Sequence, residues 1–378
     1  MNGSIRKRGN AWEIRFDGGY DADGKRVQKS ITVKGTKAEA QRQLRGLLAT
    51  HDKGIPINTS KLTVAEYLER WLRDYVIPNT RPRTSEGYKG IIRRYLLPAL
   101  GHIQLAKLQP ADLQGMEARL LDKGLSPRTV LHTHRVLFTA LKHAVKWGLI
   151  WRNPAEAVNT PKAAPKEALI PNADGVTSIL ELAKETPYHA LLHFLAFTGC
   201  RRGEAVGLRW QDVDLDNSTA SIVQTLHRVL GRGLVIQPPK SAKGRRAIAL
   251  DAETLAVLRA HRTQQLEHRL RMGEAYQDQG LVFADPLGRP LDPNEATRTF
   301  RTLARRTGLE GVRLHDLRHF HASALLQAGT HPKIVQERLG HATISVTLDT
   351  YSHVLPGLQE QAATAFATIM SKAKRPNF

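Results

Sequence analysis

At 378 residues, with 41% hydrophobic and 24% charged side chains, the chain has material for two or three folded domains and is not a long disordered segment. Its 56 Lys and Arg against 35 Asp and Glu leave a net charge of +21, which suits a polyanion, nucleic acid first and an anionic membrane surface second. No apolar run approaches the ~18 residues of a membrane span, Met1 to Arg8 is polar with no apolar signal core behind it, and a single cysteine, Cys200, excludes an internal disulfide and fits a reducing cytoplasm.

Residues 1–55 read as a small module, basic by 12 Lys and Arg to 6 Asp and Glu. Trp12, Ile14 and Phe16 alternate with Glu13 and Arg15, the period of a half-buried strand, and Ser4–Arg8 and Val27–Val33 flank it as two more. Thr36 and Glu39 form a capping box that opens a helix through about Leu48. A linker with Gly54 and Pro56 follows, and residues 62–155 turn helical. Thr63 and Glu66 cap the first helix, whose apolar face holds Val64, Tyr67, Leu68, Trp71, Leu72 and Tyr75. The second runs from about Thr84 and buries Tyr88, Ile91, Ile92 and Tyr95, leaving Lys89 and Arg93 on another side, and Pro110 starts the third.

The fourth helix begins at the Ser126 cap with Pro127 in its first turn and ends at Gly148, burying Val130, Leu131, Leu137, Leu141 and Val145. Arg128, His132, Arg135, Thr139, Lys142 and Lys146 recur at steps of three and four along its other side, a stripe whose ordinary fate is a solvated face. NPAEAVNTPKAAPK, from Asn153 to Lys166, reads as an interdomain linker, and a last domain occupies 167–378. Helices near Asp174–Ala183 and Tyr188–Phe197 lead into Thr198-Gly199-Cys200-Arg201-Arg202-Gly203-Glu204. Asp212, Asp214 and Asp216 alternate but lack the Gly and Glu of a calcium loop, and so read as the polar start of a strand.

Thr219–Val223, Leu234–Gln237 and Arg246–Leu250 form a predicted small sheet, with PPKSAKGRR as a hairpin between the last two; helices over Asp251–His268 and Asn294–Arg306 follow. Then comes VRLHDLRHFHASALLQAGTHPKIVQERLGHATISVTLDTYSHV. His315 and Arg318 share a helix face, with Leu314, Leu317, Ala324 and Leu325 as apolar positions and Gly329 as the stop. A short helix from Pro332 to Gly340 leaves His341 just past its end, and a third from near Thr343 carries Tyr351 in its last turn. Arg offers a rigid fork of donors for phosphate oxygens, His can move a proton near neutral pH, and a tyrosine attacking phosphorus needs such neighbours. Leu358–Met370 adds a final helix after Pro356-Gly357, apolar along Leu358, Ala362, Ala365, Phe366 and Ile369.

HDLRH, LGH and TLDTYSH in this order, preceded by TGCRRGE, resemble the tyrosine recombinases, the phage integrase family. The resemblance implies a mainly α, multidomain fold: a three-stranded sheet plus helix as an arm-type DNA-binding module, a four-helix core-binding domain, and a mixed α+β catalytic domain. By its pattern Arg201 rather than Arg202 is the catalytic arginine, and Cys200 is no nucleophile. Tyr351 would attack a DNA phosphodiester to give a 3′-phosphotyrosyl link; Arg201 and Arg318 would hold the nonbridging oxygens. His315 would assist by proton transfer near the nucleophile and His341 by a hydrogen bond to phosphate. Lys240, with Lys243 as rival, would protonate the departing 5′ oxygen. Core-domain DNA contacts would fall to Lys89, Arg93, Arg128, His132, Arg135 and Lys142.

The implied activity is site-specific recombination of a mobile element, needing no metal, ATP or other cofactor. The implied partners are double-stranded DNA, a homotetramer on two sites, and accessory DNA-bending or directionality proteins, in the cytoplasm with no membrane role. The alternatives are a type IB topoisomerase-like relaxing enzyme and a DNA-binding regulator without catalysis. The arm-like and four-helix domains oppose the first, and the full set of catalytic-type residues opposes the second.

Overall fold

The computed structural model describes residues 4–9, 11–20, 26–52, 61–164, 169–239, 242–351, 363–364 and 366–370. The chain divides into two units, Met1–Pro165 and Lys166–Phe378. In the first, β1 (Ser4–Arg8), β2 (Ala11–Tyr20) and β3 (Arg26–Lys34) form an antiparallel meander followed by α1 (Lys37–Asp52). Register places Ile14 opposite both Ile5 and Ile31. The period-two face thus meets Ala40 of α1 in a small core around Ile14 and Val33. The expected capping box forms: the Thr36 amide donates to Glu39 at 2.8 Å and the Glu39 amide to the Thr36 hydroxyl at 3.3 Å.

Further helices build this unit's second core: α2 (Val64–Trp71), α3 (Ile77–Asn79), α4 (Pro82–Ile91), α5 (Leu97–Leu100), α6 (Pro110–Asp122) and, longest, α7 (Pro127–Lys146). Two π-helical stretches, Leu72–Val76 and Ile92–Leu96, carry α2 into α3 and α4 into α5. Each stops just short of a proline, Pro78 or Pro98, with the amides of Ile77 and Leu97 bonding five residues back to Leu72 and Ile92. A proline has no amide hydrogen and its ring crowds the carbonyl four residues earlier, and a widened turn relieves both without ending the helix. Tyr67, Trp71, Ile92, Leu96, Leu137 and Leu141 fill the core. The α7 face differs in detail from the one expected: Leu131 and Val145 are half-buried, while Val136, Ala140 and His134 are buried. His134 is admitted because its Nδ1 lies 2.7 Å from Glu117 of α6, as a buried polar group requires.

The second unit starts with α8 (Ala173–Ala183), α9 (His189–Thr198) and α10 (Arg202–Ala205). Five short strands follow: β4 (Val213–Asp214), β5 (Thr219–Ile222), β6 (Thr225–Val229), β7 (Gly233–Gln237) and β8 (Arg246–Ala249). Then come α11 (Ala252–Met272), α12 (Pro293–Arg306), α13 (Asp316–Gln327), α14 (Pro332–Leu339) and α15 (Ile344–Tyr351). The core runs from α8 and α9 through β5 and β8 to α12 and Leu317 of α13.

The strands depart from expectation. They make two sheets, β4-β5-β8 and β6-β7, and Thr225–Val229 was not foreseen as a strand. Gly231 and Gly233, at φ +75° and +73°, permit a tight turn that pairs β7 with its immediate predecessor, whereas Ala220 opposite Ile248 ties β8 to β5 across the core. PPKSAKGRR is therefore no hairpin loop; it crosses from one sheet to the other and carries a 3₁₀ turn at Ala242–Gly244. The aspartates do start β4: Asp212 pairs with Arg209 at 2.6 Å, and Asp214 accepts the Asn217 amide at 2.8 Å. Of the last predicted helix, 363–364 and 366–370 are helical with Phe366 and Ile369 exposed; Leu358, Ala362 and Ala365 lie outside the described residues. Among the described residues no helix is long and apolar enough to cross a membrane.

Candidate active site

Two glycines make the site possible. Gly199 caps α9 at φ +63°, and a Cβ there would stand 2.7 Å from Leu339 and 2.8 Å from His321. Only a residue without a side chain lets α9, α13 and α14 meet at this point. Gly340 caps α14 at φ +67°, where a Cβ would come within 2.8 Å of Arg246. Arg201 leaves the first turn and His341 leaves the second.

The two arginines converge on the carbonyls these turns expose. Arg318, 3% exposed, donates through Nη1 to Gly199 at 2.8 Å and through Nη2 to Leu339 at 2.7 Å. Arg201 donates through Nη2 to Gly340 at 3.4 Å and through Nη1 to Glu204 at 2.8 Å, and its side chain remains 42% exposed. Burial, then the neighbouring Arg201, lowers the Arg318 guanidinium to about 10. Two like charges gathered this closely leave a strong demand for an anion.

His315 and His341 stand beside them. Burial pushes His315 down to about 4, helped by His319, Arg318 and Arg201; burial and the same two arginines bring His341 to about 4. Both imidazoles are therefore neutral at pH 7. His341 Nδ1 lies 2.9 Å from the Thr347 hydroxyl, which orients the ring, and its backbone carbonyl accepts from Gln336 at 2.5 Å, which holds the turn. Tyr351 is 1% exposed, packed with Ala322, Leu326, Val335 and Leu339, and burial holds its phenol above the ordinary value.

Arg201, His315, Arg318, His341 and Tyr351 thus come together from four segments of the second unit. Lys240 lies outside the described residues. Lys243 is exposed and donates to the Ala342 carbonyl at 2.9 Å, next to His341. In the first unit Arg93, Arg128, His132, Arg135 and Lys142 are exposed on the α4 continuation and on α7; Lys89 is half-buried, with Glu86 at 3.9 Å. Cys200 is buried, its thiol pushed up by burial and so protonated. Arg202, the competing arginine, donates to Thr297 of α12 at 2.5 Å.

Sequence reasoning missed three residues. Arg246 donates to Glu204 at 2.9 Å, to the Arg338 carbonyl at 2.6 Å and to Gly244 at 3.2 Å. Burial raises the Glu204 carboxyl, but Arg246 and Arg201 outweigh it and keep the group ionised. Glu204 and Arg246 together brace the Arg201 turn against the end of α14. The third is His319, whose Nδ1 lies 2.8 Å from the Tyr351 hydroxyl. It was visible as the second histidine of HDLRH, one helical turn after His315, but periodicity gave no reason to separate it from a core residue. Among the described residues no group of three His, Cys, Asp or Glu is placed to hold a metal ion.

Known proteins resemble this chain in sequence and in fold. Residues 172–357 match the phage integrase family and residues 63–121 its N-terminal SAM-like domain. An integrase of Streptomyces ambofaciens is 30% identical over 361 residues, covering 93% of this chain and 92% of that one. A tyrosine recombinase XerC-like protein of Caldanaerobacter subterraneus subsp. tengcongensis is 27% identical over 357 residues, covering 89% and 91%. Among solved structures, the Tn1549 transposon integrase in complex with a circular intermediate DNA has a TM-score of 0.70 at 21% identity, covering 81% of this chain and 99% of that one. A lambda integrase tetramer bound to a Holliday junction has a TM-score of 0.57 at 16% identity, covering 92% and 94%. With its helical multidomain fold, its paired arginines around a buried tyrosine, and a relative matched over nearly its whole length, this chain belongs to the phage integrase family, the tyrosine recombinases.

Proposed function

We propose that the protein is a site-specific integrase that cuts and rejoins duplex DNA through Tyr351 and thereby inserts or excises a mobile element. One observation carries the reading: two guanidiniums and two neutral imidazoles gather around the turns that lead to a buried phenol. Arg201 and Arg318 bind the nonbridging oxygens and stabilise the charge that grows as phosphorus becomes pentacoordinate. With Nδ1 of His341 engaged by Thr347, its Nε2 is the nitrogen that turns to the phosphate. Tyr351 oxygen attacks phosphorus, the bond to the 5′ oxygen breaks, and a 3′-phosphotyrosyl link forms. Because that link conserves the phosphoester, religation to a partner strand draws on no ATP, and the guanidiniums supply the positive charge a metal would otherwise bring. The test is a nicked suicide duplex drawn from DNA flanking the protein's own gene, incubated in EDTA without nucleotide; a covalent adduct supports the reading, and one that forms only with Mg²⁺ overturns its metal independence.

Lys240 is assigned as the acid that protonates the leaving 5′ oxygen, and Lys243 as a tether of the His341 loop, in keeping with its bond to Ala342. General acid catalysis contributes roughly 10²- to 10⁴-fold, whereas a 5′-thiolate leaves without a proton. Lys240→Ala should therefore cleave an ordinary substrate poorly and a 5′-thio substrate almost normally. Lys243→Ala should show no such substrate-dependent recovery, and sulfur rescue confined to it reverses the assignment.

The three domains proposed, 1–55, 62–155 and 167–378, divide the work into arm-site binding, core-site binding and chemistry. The stripe of Arg128, His132, Arg135 and Lys142 on α7, with Lys89 and Arg93, is assigned to core-site phosphates. Removing one cation that neutralises a phosphate should flatten the slope of log affinity against log salt by about 0.9. Arg128→Ala with Arg135→Ala should thus lower the slope by about 2 without altering sequence preference; an unchanged slope leaves the stripe merely solvated. A tetramer on two DNA duplexes is the working assembly, supported by the tetrameric lambda neighbour.

A further inference from the structure

We propose that His319, rather than His315, takes the proton of Tyr351 when the nucleophile attacks, and returns it on religation. This rests on Tyr351 being the nucleophile. His319 Nδ1 lies 2.8 Å from the phenol oxygen, with the rings 5.6 Å apart and inclined at 55°. A buried phenol kept protonated needs an acceptor, and among the described residues this nitrogen is the polar partner that its hydroxyl has. His315 lies a helical turn away, its ring edge-on to His319 at 5.1 Å, and among the described residues it makes no hydrogen bond to Tyr351.

The charges around the two imidazoles also differ. His315 is pressed toward neutrality by burial, His319, Arg318 and Arg201, against a weaker pull from Asp316. For His319 the strongest influence after burial is Asp316, which favours its protonated form, ahead of Arg313 and Arg318. Groups facing His319 are thus His315, Arg318, Asp316 and Arg313 from its own helix and the turn before it, Tyr351 from α15, and His341 from the preceding turn. Without DNA this base is weak and the phenol stays protonated. A phosphate diester anion seated on Arg201 and Arg318 adds negative charge beside the imidazole and cancels part of the arginine field. Binding of the scissile phosphate therefore strengthens the base that activates the attack on it.

In the forward step the O–H bond of Tyr351 breaks and its proton passes to Nδ1, the oxygen pair forms the bond to phosphorus, and the 5′ oxygen leaves with a proton from the general acid. In reverse, the 5′ hydroxyl returns its proton to the deprotonated general acid as its oxygen attacks phosphorus, the bond from phosphorus to the tyrosine oxygen breaks, and the departing phenolate takes the proton back from Nδ1. No further reactant is required.

The experiment follows single-turnover cleavage of a nicked suicide duplex by the full chain at pH 6 to 9. His319→Asn leaves an amide near the position of Nδ1 that can hold the hydroxyl but cannot take its proton; His319→Ala removes both functions. Both should cleave about 10²-fold more slowly with DNA affinity retained, and their rates should climb about tenfold per pH unit, the mark of hydroxide acting in place of the imidazole. Putting 3,5-difluorotyrosine at position 351 makes the phenol more acidic and should recover most of the loss in both variants, with little change beside His319. Wild-type speed in His319→Asn would reduce the residue to positioning and overturn the proposal. So would an equal effect of fluorination in all three proteins, or fluorine rescue appearing in His315→Asn instead. Adduct formation by Tyr351→Phe would fault the nucleophile, and hence the underlying reading, rather than the base.

Discussion

Tyr351→Phe should form no covalent adduct with a suicide duplex while binding that duplex nearly as well as the parent protein. The substitution removes one oxygen from a ring that stays packed among Ala322, Leu326, Val335 and Leu339. Losing the hydrogen bond to His319 costs about 0.5–1.5 kcal/mol of stability. Affinity is retained because phosphate binding is assigned to Arg201, Arg318 and the basic stripe of the first unit, none of which bonds to the phenol oxygen. Gel analysis of boiled reaction mixtures checks the adduct and a binding titration checks affinity. An adduct in the Phe variant would place the nucleophile elsewhere.

Arg318→Ala and Arg201→Ala should both slow cleavage by about 10²- to 10³-fold or more, the loss expected when a preorganised donor to a developing oxyanion is removed. They should differ in stability. Arg318 is buried and satisfies the carbonyls of Gly199 and Leu339, so its removal strands two buried acceptors at roughly 1–3 kcal/mol each. Arg201 is 42% exposed in its side chain, and Glu204 keeps a second partner in Arg246 at 2.9 Å, so its loss should move the melting temperature little. Single-turnover rates and melting curves on the same preparations separate the effects. Equal destabilisation by the two substitutions would contradict the division of labour between a buried and an open arginine.

The histidines bear on how stability depends on pH. His315 and His341 sit near 4 in the folded protein, below the unfolded value of about 6.5, so the unfolded chain binds more protons between those values. Their contribution to stability is present above about pH 6.5 and is lost as pH falls toward 4.

Much of this protein was legible in its sequence because the signals are local. Capping residues at Thr36, Thr63 and Ser126, prolines at 110, 127 and 332, and left-handed glycines at 199, 329 and 340 act on the few residues beside them, so the helices fell where those residues put them. The motif spacing likewise singled out Arg201, His315, Arg318, His341 and Tyr351 as candidates, and the fold brings them near one another because each lies on a short turn or helix whose ends are marked. What the sequence could not contain was partnership across distance. Whether β7 pairs with β6 or β8 depends on two glycines in one turn and on Ile248 finding Ala220 across the core. The π turns before Pro78 and Pro98 arise because both helices continue under core packing where a proline would otherwise stop them. Arg246 meets Glu204, and His319 meets Tyr351, at separations of 42 and 32 residues. Nothing in a neighbouring residue marks such contacts, because they exist only once burial has brought separate turns to one place; only the tertiary structure decided which nitrogen faces the phenol.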